Sequence, residues 1–355
     1  MPIVSSNATI LVTGSNGFLG TWVVDTLLKR GFTVRAAVRS EARGQHLLKT
    51  FQSYGDKLQL FPIGDIAADG AFDEAVKAVE GIVHTAAKLS TGLEEADPRD
   101  VANTAIQGNL GILNSAQKYG TSLKRVVLTS STGARTGFAS APKLVTGNDW
   151  NEDAVQACEK SGKATLGMLK YTASKTLAEK AAWEWYEKNK SSLNWELTAF
   201  SPPYIFGPVL HDIGAADSAS FKGSNRFFHD TVAKGVNMSH PGRTLLDSPA
   251  SGWIDVRDAA ELHVRALETP AAAGERIIIA AGGFVWQDAI DAVNALPKSP
   301  WPSHKEPFTK GLSGEKQHYV TYDTSVEQRV FGYTFRTLQE TASDMLADYE
   351  RRGWA

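Results

Sequence analysis

Two side chains near the middle of the chain have the spacing of a proton-transfer pair. Tyr171 and Lys175 lie four residues apart at the opening of a helical stretch that runs from Leu169 to about Lys188. At about 3.6 residues per turn, this spacing puts the phenol and the ammonium on one helix face. A cation beside a phenol stabilises the phenolate and makes the hydroxyl a better proton donor. By itself the pair reads more simply as a solvated surface contact. Chemistry at a carbonyl needs more than an acid, because charge develops on the oxygen and must meet a second donor. Ser131, just beyond the apolar run Arg125 to Thr129, is a hydroxyl of the kind required.

The elements that would hold these groups can be read from the start of the chain. Ala8 to Val12 is a short aliphatic and β-branched run. It breaks into Thr13-Gly14-Ser15-Asn16-Gly17-Phe18-Leu19-Gly20, and the helical pattern Trp22 to Lys29 follows. Strand, glycine turn and helix in this order form a phosphate cradle. The glycines allow a tight turn and close packing, and the helix start offers free N–H groups to a pyrophosphate. A second strand, Phe32 to Val38, ends in Arg39-Ser40-Glu41-Ala42-Arg43. At this tip an acidic residue reads the ribose of NAD, whereas arginine meets the 2′-phosphate of NADP. Arg39 and Arg43 favour NADP, and Glu41 argues the other way.

A helix over Glu41 to Tyr54 and a strand over Leu58 to Ile63 lead to Asp65 and Ile66. The Asp65 carboxylate can accept from an adenine amino group or cap a local turn. A helix is expected over Phe72 to Val79 and a strand over Gly81 to His84. The small residues Thr85, Ala86 and Ala87 beyond it would admit a nicotinamide close to the backbone. His84, closing a buried strand, reads as a core residue. After a helix from Pro98 to Lys118 comes the strand ending at Thr129. This alternation predicts an α/β fold, a Rossmann-type doubly wound parallel sheet with ligands at the strands' carboxyl ends.

From Ala134 to Leu166 the composition predicts a long excursion near the site mouth, and Asn194 to Phe200 a sixth strand. Prolines in Ser201 to Pro208 predict an irregular, rigid wall there. Beyond Gly207 the pattern changes to Gly, Ser and His around one helix, Phe227 to Lys234. A strand at Trp253 to Asp255, a helix at Val256 to Leu267 and a strand at Arg276 to Ala280 suggest a return to the first lobe. Helices over Phe284 to Leu296 and Leu338 to Arg351, and a strand near Tyr319, complete the chain. The expected division is a cofactor-binding domain over 8–202 with a returning segment about 252–281. A smaller, mostly helical substrate lobe would comprise 203–251 and 282–355.

With 355 residues the chain can bury a large core, and 42% hydrophobic and 21% charged residues are ordinary for a globular protein. A net charge of −2 without runs of like charge gives no footprint for nucleic acid. Cys158 is the single cysteine, which excludes an internal disulfide and a cysteine metal cluster and favours a reducing compartment. Neither a signal peptide nor an apolar run of about 18 residues is present, so a cytoplasmic protein without membrane or metal is expected. The triplets starting at Asn7 and Asn237 are read as chance matches to the glycosylation pattern.

Thr13-Gly14-x-x-Gly17-x-x-Gly20, Ser131 and Tyr171-x-x-x-Lys175, in this order and spacing, resemble the extended short-chain dehydrogenase/reductase family over nearly the whole chain. Val34 to Ser40, Val127 to Thr132 and Tyr171 to Lys175 look most like the branch of dihydroflavonol reductase-like and fungal NADPH-dependent aldehyde and ketone reductases. The resemblance implies that Tyr171 is the acid, Ser131 polarises the carbonyl, and Lys175 raises the acidity of the phenol and holds the nicotinamide ribose. It also implies a cofactor path over Thr13, Gly14, Asn16, Gly17, Phe18 and Leu19, with Arg39 and Arg43 on the 2′-phosphate. Asp65 and Ile66 would line the adenine, and Thr85, Ala86, Ala87, Thr129, Pro202, Tyr204 and Ile205 the nicotinamide half. One departure stands out. Where many members carry an asparagine for a proton relay, this chain has Ala105, with Asn103 and Asn109 off register.

The expected activity is NADPH-dependent reduction of an aldehyde or ketone, by a monomer or homodimer. The substrate would be a ketoester or a carbonyl with an apolar or aromatic substituent. Its pocket would involve Lys88, Leu89, the stretch after Thr132, Tyr204 to Phe206, Phe227 and Phe228. Two alternatives share the fold: an NAD-dependent nucleotide-sugar epimerase or dehydratase, and a regulator that senses the dinucleotide without turnover.

Overall fold

In the computed structural model, which describes residues 3–87, 92–137, 139–211, 223–236, 243–247 and 252–354, β1 (Thr9–Thr13) lies in the interior of a parallel sheet. Helix α1 (Phe18–Lys29) carries the chain to β2 (Thr33–Val38), and α2 (Glu41–Thr50) to β3 (Leu58–Pro62). The chain then crosses to the other side of β1 for β4 (Gly81–His84). Next come α3 (Pro98–Tyr119), β5 (Arg125–Thr129), the short strand β6 (Lys143–Val145) and helices α4 (Glu152–Ser161) and α5 (Gly167–Asn189). β7 (Glu196–Ser201) follows, then β8 (Tyr204–Phe206), α6 (Gly223–Lys234), β9 (Trp253–Asp255), α7 (Val256–Glu268) and β10 (Arg276–Ile278). The sheet has seven parallel strands in the order β10-β7-β5-β4-β1-β2-β3, the doubly wound topology expected from the sequence.

Register fixes what meets at the carboxyl edge. Thr13 stands opposite Ala37 on one side and His84 on the other, and Thr129 stands opposite Phe200. The glycine turn, the arginine tip and Thr85 to Ala87 therefore leave the sheet at one level. Two apolar layers hold it. Val23, Leu27, Leu262 and Leu267 bring α1 and α7 onto one face, and Ile112, Leu113 and Ala182 bring α3 and α5 onto the other. Each such side chain, removed from water, contributes roughly 1.5–3 kcal/mol.

A third core lies beyond the sheet edge, where α6 meets α8 (Trp286–Asn294) and α10 (Leu338–Arg351) around Phe206, Phe228, Trp286, Trp301 and Tyr349. Four features depart from the expected pattern. Phe72 to Val79 is a series of turns, not a helix, and Ala78 adopts φ 57°. Its apolar residues still face inward at helical spacing, because burial constrains side chains while leaving the backbone free to turn. The excursion before α5 contains β6 and α4, and β6 pairs with the distant β11 (Val320–Tyr322). The wall after Ser201 is not irregular throughout. β8 follows Pro203 immediately and pairs with β9, since Tyr204 retains the N–H it donates to Gly252 O at 3.2 Å. Helix α9 (Ser325–Phe331) had no signal in the sequence reading.

Candidate functional site

Gly14 is the pivot of the first turn. Its φ is +67°, and a Cβ there would lie 2.8 Å from the Ala86 nitrogen, so only glycine brings the turn this close to the β4 end. Thr13 tightens the same junction. Its Oγ1 sits 2.8 Å from His84 Nδ1 and accepts from the Ala86 N–H at 3.3 Å, while Thr85 Oγ1 donates to Thr13 O at 2.7 Å. No side chain caps α1 at Gly17, so the first-turn N–H groups of Phe18 and Leu19 lie at an open helix end.

Over this turn opens a cavity of about 470 Å³, lined by Gly14, Asn16, Gly17, Arg39, Arg43, Gly64, Ile66, Thr85, Ala86 and Ala87 among others. Asn16 Nδ2 donates to Arg43 O at 3.2 Å and ties the glycine turn to the strand tip. Arg39 and Arg43 are exposed at the rim, without a carboxylate partner among the described residues. Glu41, the residue that favoured NAD, does not line the cavity and neutralises neither arginine. Asp65 lies outside the lining, and its Oδ1 accepts from the Ala67 N–H at 3.1 Å as a turn cap.

Ile66, Ala86 and Ala87 also line a small adjoining cavity of about 20 Å³ that ends at Lys175, beside Thr104, Ala105, Asn109, Thr129 and Ser130. About one water fits a polar space of this size. Asn109 Nδ2 is committed to Ala178 O at 3.0 Å, consistent with an asparagine standing off register. Thr129 turns its hydroxyl toward α7. There His263 Nδ1 donates to Ala259 O at 2.6 Å, leaving Nε2 to accept from Thr129 Oγ1 at 3.0 Å. His263 was missed in the sequence, where nothing marks it apart from its place on an amphipathic helix.

Lys175 Nζ is 6.0 Å from the centre of the Tyr171 ring, and both side chains are half-buried. Neither the phenol nor the ammonium has a hydrogen-bond partner among the described residues. Ser131 lies on a turn pressed against the same helix: a Cβ on Gly133 would meet Thr172 Cγ2 at 2.9 Å. Ser131 Oγ accepts from the Gly133 N–H at 3.0 Å, which leaves its own proton free to donate. Tyr204, on β8, faces Tyr171. Burial first, and the Tyr171 charge second, push its phenol up to about 12, so it remains a neutral hydroxyl. Burial, helped by the Lys175 charge, lowers His84 to about 3, so it is a neutral core residue.

The aromatic wall is organised differently from the sequence expectation. Tyr204 meets Phe227 edge-on at 6.3 Å and Trp286 at 5.6 Å, but Phe206 and Phe228 are fully buried against each other in the lobe core. They are removed from the pocket because a phenylalanine packed on all sides has no face left for a ligand. Pro202 and Ile205 flank Tyr204 on this wall. Lys88 and Leu89 lie outside the described residues.

Comparison with known proteins places the chain in a family. The profile of the NAD dependent epimerase/dehydratase family matches residues 10–282. The chain belongs to that family, the extended short-chain dehydrogenases/reductases. Among its relatives, a ketoreductase of Aspergillus niger is 31% identical, covering 94% of this chain and 95% of its own. The NADPH-dependent methylglyoxal reductase Gre2 of Saccharomyces cerevisiae is also 31% identical over 94% and 96%. The crystal structure of that yeast reductase complexed with NADPH superimposes with a TM-score of 0.82 and 29% identity, covering 97% of this chain and 98% of the other. No helix among the described residues is long and apolar enough to cross a membrane.

Proposed function

We propose that this chain reduces aldehydes and ketones to alcohols with NADPH, using Tyr171 as the acid. One observation carries the reading. Two adjoining cavities that share Ile66, Ala86 and Ala87 lead from the unpaired Arg39 and Arg43, over Gly14, to Lys175, whose ammonium lies 6.0 Å from the centre of the Tyr171 ring. Their parts fit NADPH: a cradle that a Cβ would fill, an uncapped helix end for the pyrophosphate, and two free cations for a 2′-phosphate. NADPH supplies the hydride when bound.

The protein supplies position and protons. Ser131 Oγ–H and the Tyr171 hydroxyl donate to the carbonyl oxygen as it gains charge, and Tyr171 then gives up its proton. Lys175 stabilises the phenolate left behind and holds the ribose. Proton transfer of this kind is worth about a hundred- to ten-thousand-fold. A water in the small cavity beside Lys175 takes the place of the relay asparagine. In this reading 8–202 with 252–281 holds the cofactor, and 203–251 with 282–355 holds the substrate. Phe18 and Leu19 N–H groups meet the pyrophosphate, Ile66 flanks the adenine on the turn that Asp65 caps, and Thr85 to Ala87, Thr129, Pro202, Tyr204 and Ile205 pass the nicotinamide.

Tyr204 and Phe227, the half-buried rings of this wall, offer aromatic edges beside the oxygen site, with the buried Trp286 packed behind them, which suits an apolar or aryl carbonyl, or a ketoester. The enzyme is proposed to work in the cytoplasm as a monomer or homodimer. The test is NADPH oxidation, followed by absorbance, against α-ketoesters, aryl ketones and aldehydes, repeated with NADH. Turnover with NADPH and a strong preference over NADH are expected. Stoichiometric NAD in the purified protein would favour the epimerase chemistry instead, and NADPH binding without turnover of any carbonyl would favour a sensor.

A further inference from the structure

Eight residues beyond Tyr171 and four beyond Lys175, Glu179 continues the same face of α5. It is 1% exposed, and its carboxylate is enclosed by four donors. Oε2 accepts from the Ser130 hydroxyl. Oε1 accepts from Arg135 Nη2 at 2.7 Å, Arg276 Nε at 3.1 Å and Trp183 Nε1 at 3.2 Å. Arg135, wholly buried, also donates from Nη2 to Ser201 Oγ at 2.7 Å. The Trp150 ring covers the Arg276 guanidinium, 3.7 Å from its centre.

Stability alone does not account for this cluster. Burying an ion pair strips both ions of water, and well-packed apolar residues of the same volume often stabilise as well or better. Nor is the cluster arranged for the greatest stability: Arg135 Nε and Nη1 and Arg276 Nη2 have no acceptor among the described residues. Its distinction is where the partners sit. Ser130 and Arg135 bracket Ser131 along the chain, Ser201 leads directly into Pro202 and the Tyr204 wall, and Glu179 itself rides on the helix of Tyr171 and Lys175. Charge-assisted hydrogen bonds are short and directional, whereas apolar contacts permit sliding.

We infer that Glu179 is a positioning residue for carbonyl reduction. Its carboxylate sets the placement of the Ser131 turn against the Tyr171 helix, so that both hydroxyls converge on one oxygen. Glu179 touches neither substrate nor cofactor and acts through Ser130 and Arg135. The inference rests on Ser131 and Tyr171 acting as proposed above.

The test compares Glu179→Gln and Ser130→Ala with Arg276→Met and Tyr171→Phe in the full chain. Measurements are kcat, carbonyl KM, NADPH affinity by fluorescence titration, thermal midpoint and pH–rate profile. Displacing a reacting group by about 1 Å costs up to roughly a hundredfold in rate. Glu179→Gln should therefore lose about ten- to a hundredfold in kcat per NADPH-binding site, and Ser130→Ala about tenfold. KM and NADPH affinity should stay within about threefold, with the pH profile lowered but not moved. Arg276→Met leaves Oε1 its bond from Arg135 and Oε2 its bond from Ser130, so it should lower the thermal midpoint and leave kcat within about twofold. Ser130→Ala leaves Glu179 paired with Arg135, so it decides the matter if Glu179→Gln does not fold. Wild-type kcat in Ser130→Ala and in folded Glu179→Gln, with Tyr171→Phe inactive, overturns the positioning role alone. Retained turnover in Tyr171→Phe overturns the proposed mechanism as well.

Discussion

The proposed cofactor half and the proposed substrate half of this cleft are built on different principles. On the cofactor side the contacts are made by backbone and by strand ends whose level is fixed by register: Gly14 against Ala86, Thr13 beside His84, Asn16 on the Arg43 carbonyl. On the proposed substrate side, aromatic rings come from a two-strand ribbon and from a helix distant in sequence, Tyr204 on β8 and Phe227 on α6, with the buried Trp286 of α8 packed behind Tyr204. The first kind of site tolerates almost no change at its glycines. The second can be re-cut ring by ring, which is how one cofactor machine can serve many carbonyls.

Substitutions that should affect one half and spare the other put this contrast at risk. Gly14→Ala should be the most damaging. An alanine at φ +67° costs about 1–2 kcal/mol in backbone strain, and its Cβ would strike the Ala86 backbone. Fluorescence titration should detect no NADPH binding. Replacing Arg39 and Arg43 together by serine should lower kcat/KM for NADPH about a hundredfold, through loss of charge-assisted hydrogen bonds. Rates with NADH should change little; an equal loss with both cofactors would remove the arginines from the role proposed for them. Trp286→Ala should destabilise by about 3–5 kcal/mol in denaturant unfolding and alter the preference among aryl carbonyls. NADPH affinity of the folded fraction should be unchanged, and if it collapses the two halves are not independent.

Acid should act on the scaffold that both halves share. Burial lowers His84 to about 3 and His263 to about 4 in the folded protein, from 6.5. Their unfolded forms bind protons first as pH falls, so the stability is fully present above about 6.5 and is lost toward the folded values. Each contributes a slope of up to about 1.4 kcal/mol per pH unit in that window. Denaturation midpoints measured from pH 7 to pH 4.5 should fall accordingly, and His263→Gln should flatten the fall.

The same contrast explains what could be read without coordinates. Tyr171 and Lys175, the glycine turn and the strand-tip arginines are local patterns, and a parallel sheet converts local strand ends into one edge. The substrate half depends on long-range pairings, β6 with β11 and β8 with β9, which no window of sequence contains. Burial of Phe228 beside a half-buried Phe227 follows from packing against Phe206 and has no local sign. Phe72 to Val79 shows the converse, a helical periodicity of buried side chains on a backbone of turns. Glu179 was within reach, as the next step after Tyr171 and Lys175 on one helix face, but its partners Arg135, Ser201 and Arg276 are joined only by the fold.

The central claim is that Tyr171 donates the proton in a cleft that binds NADPH independently of it. Tyr171→Phe removes one oxygen and nothing else, so NADPH titration and carbonyl turnover on that variant test the claim directly. Affinity within a few-fold of wild type with a rate loss of about a hundred- to ten-thousand-fold is the predicted result. Turnover at the wild-type rate would contradict it.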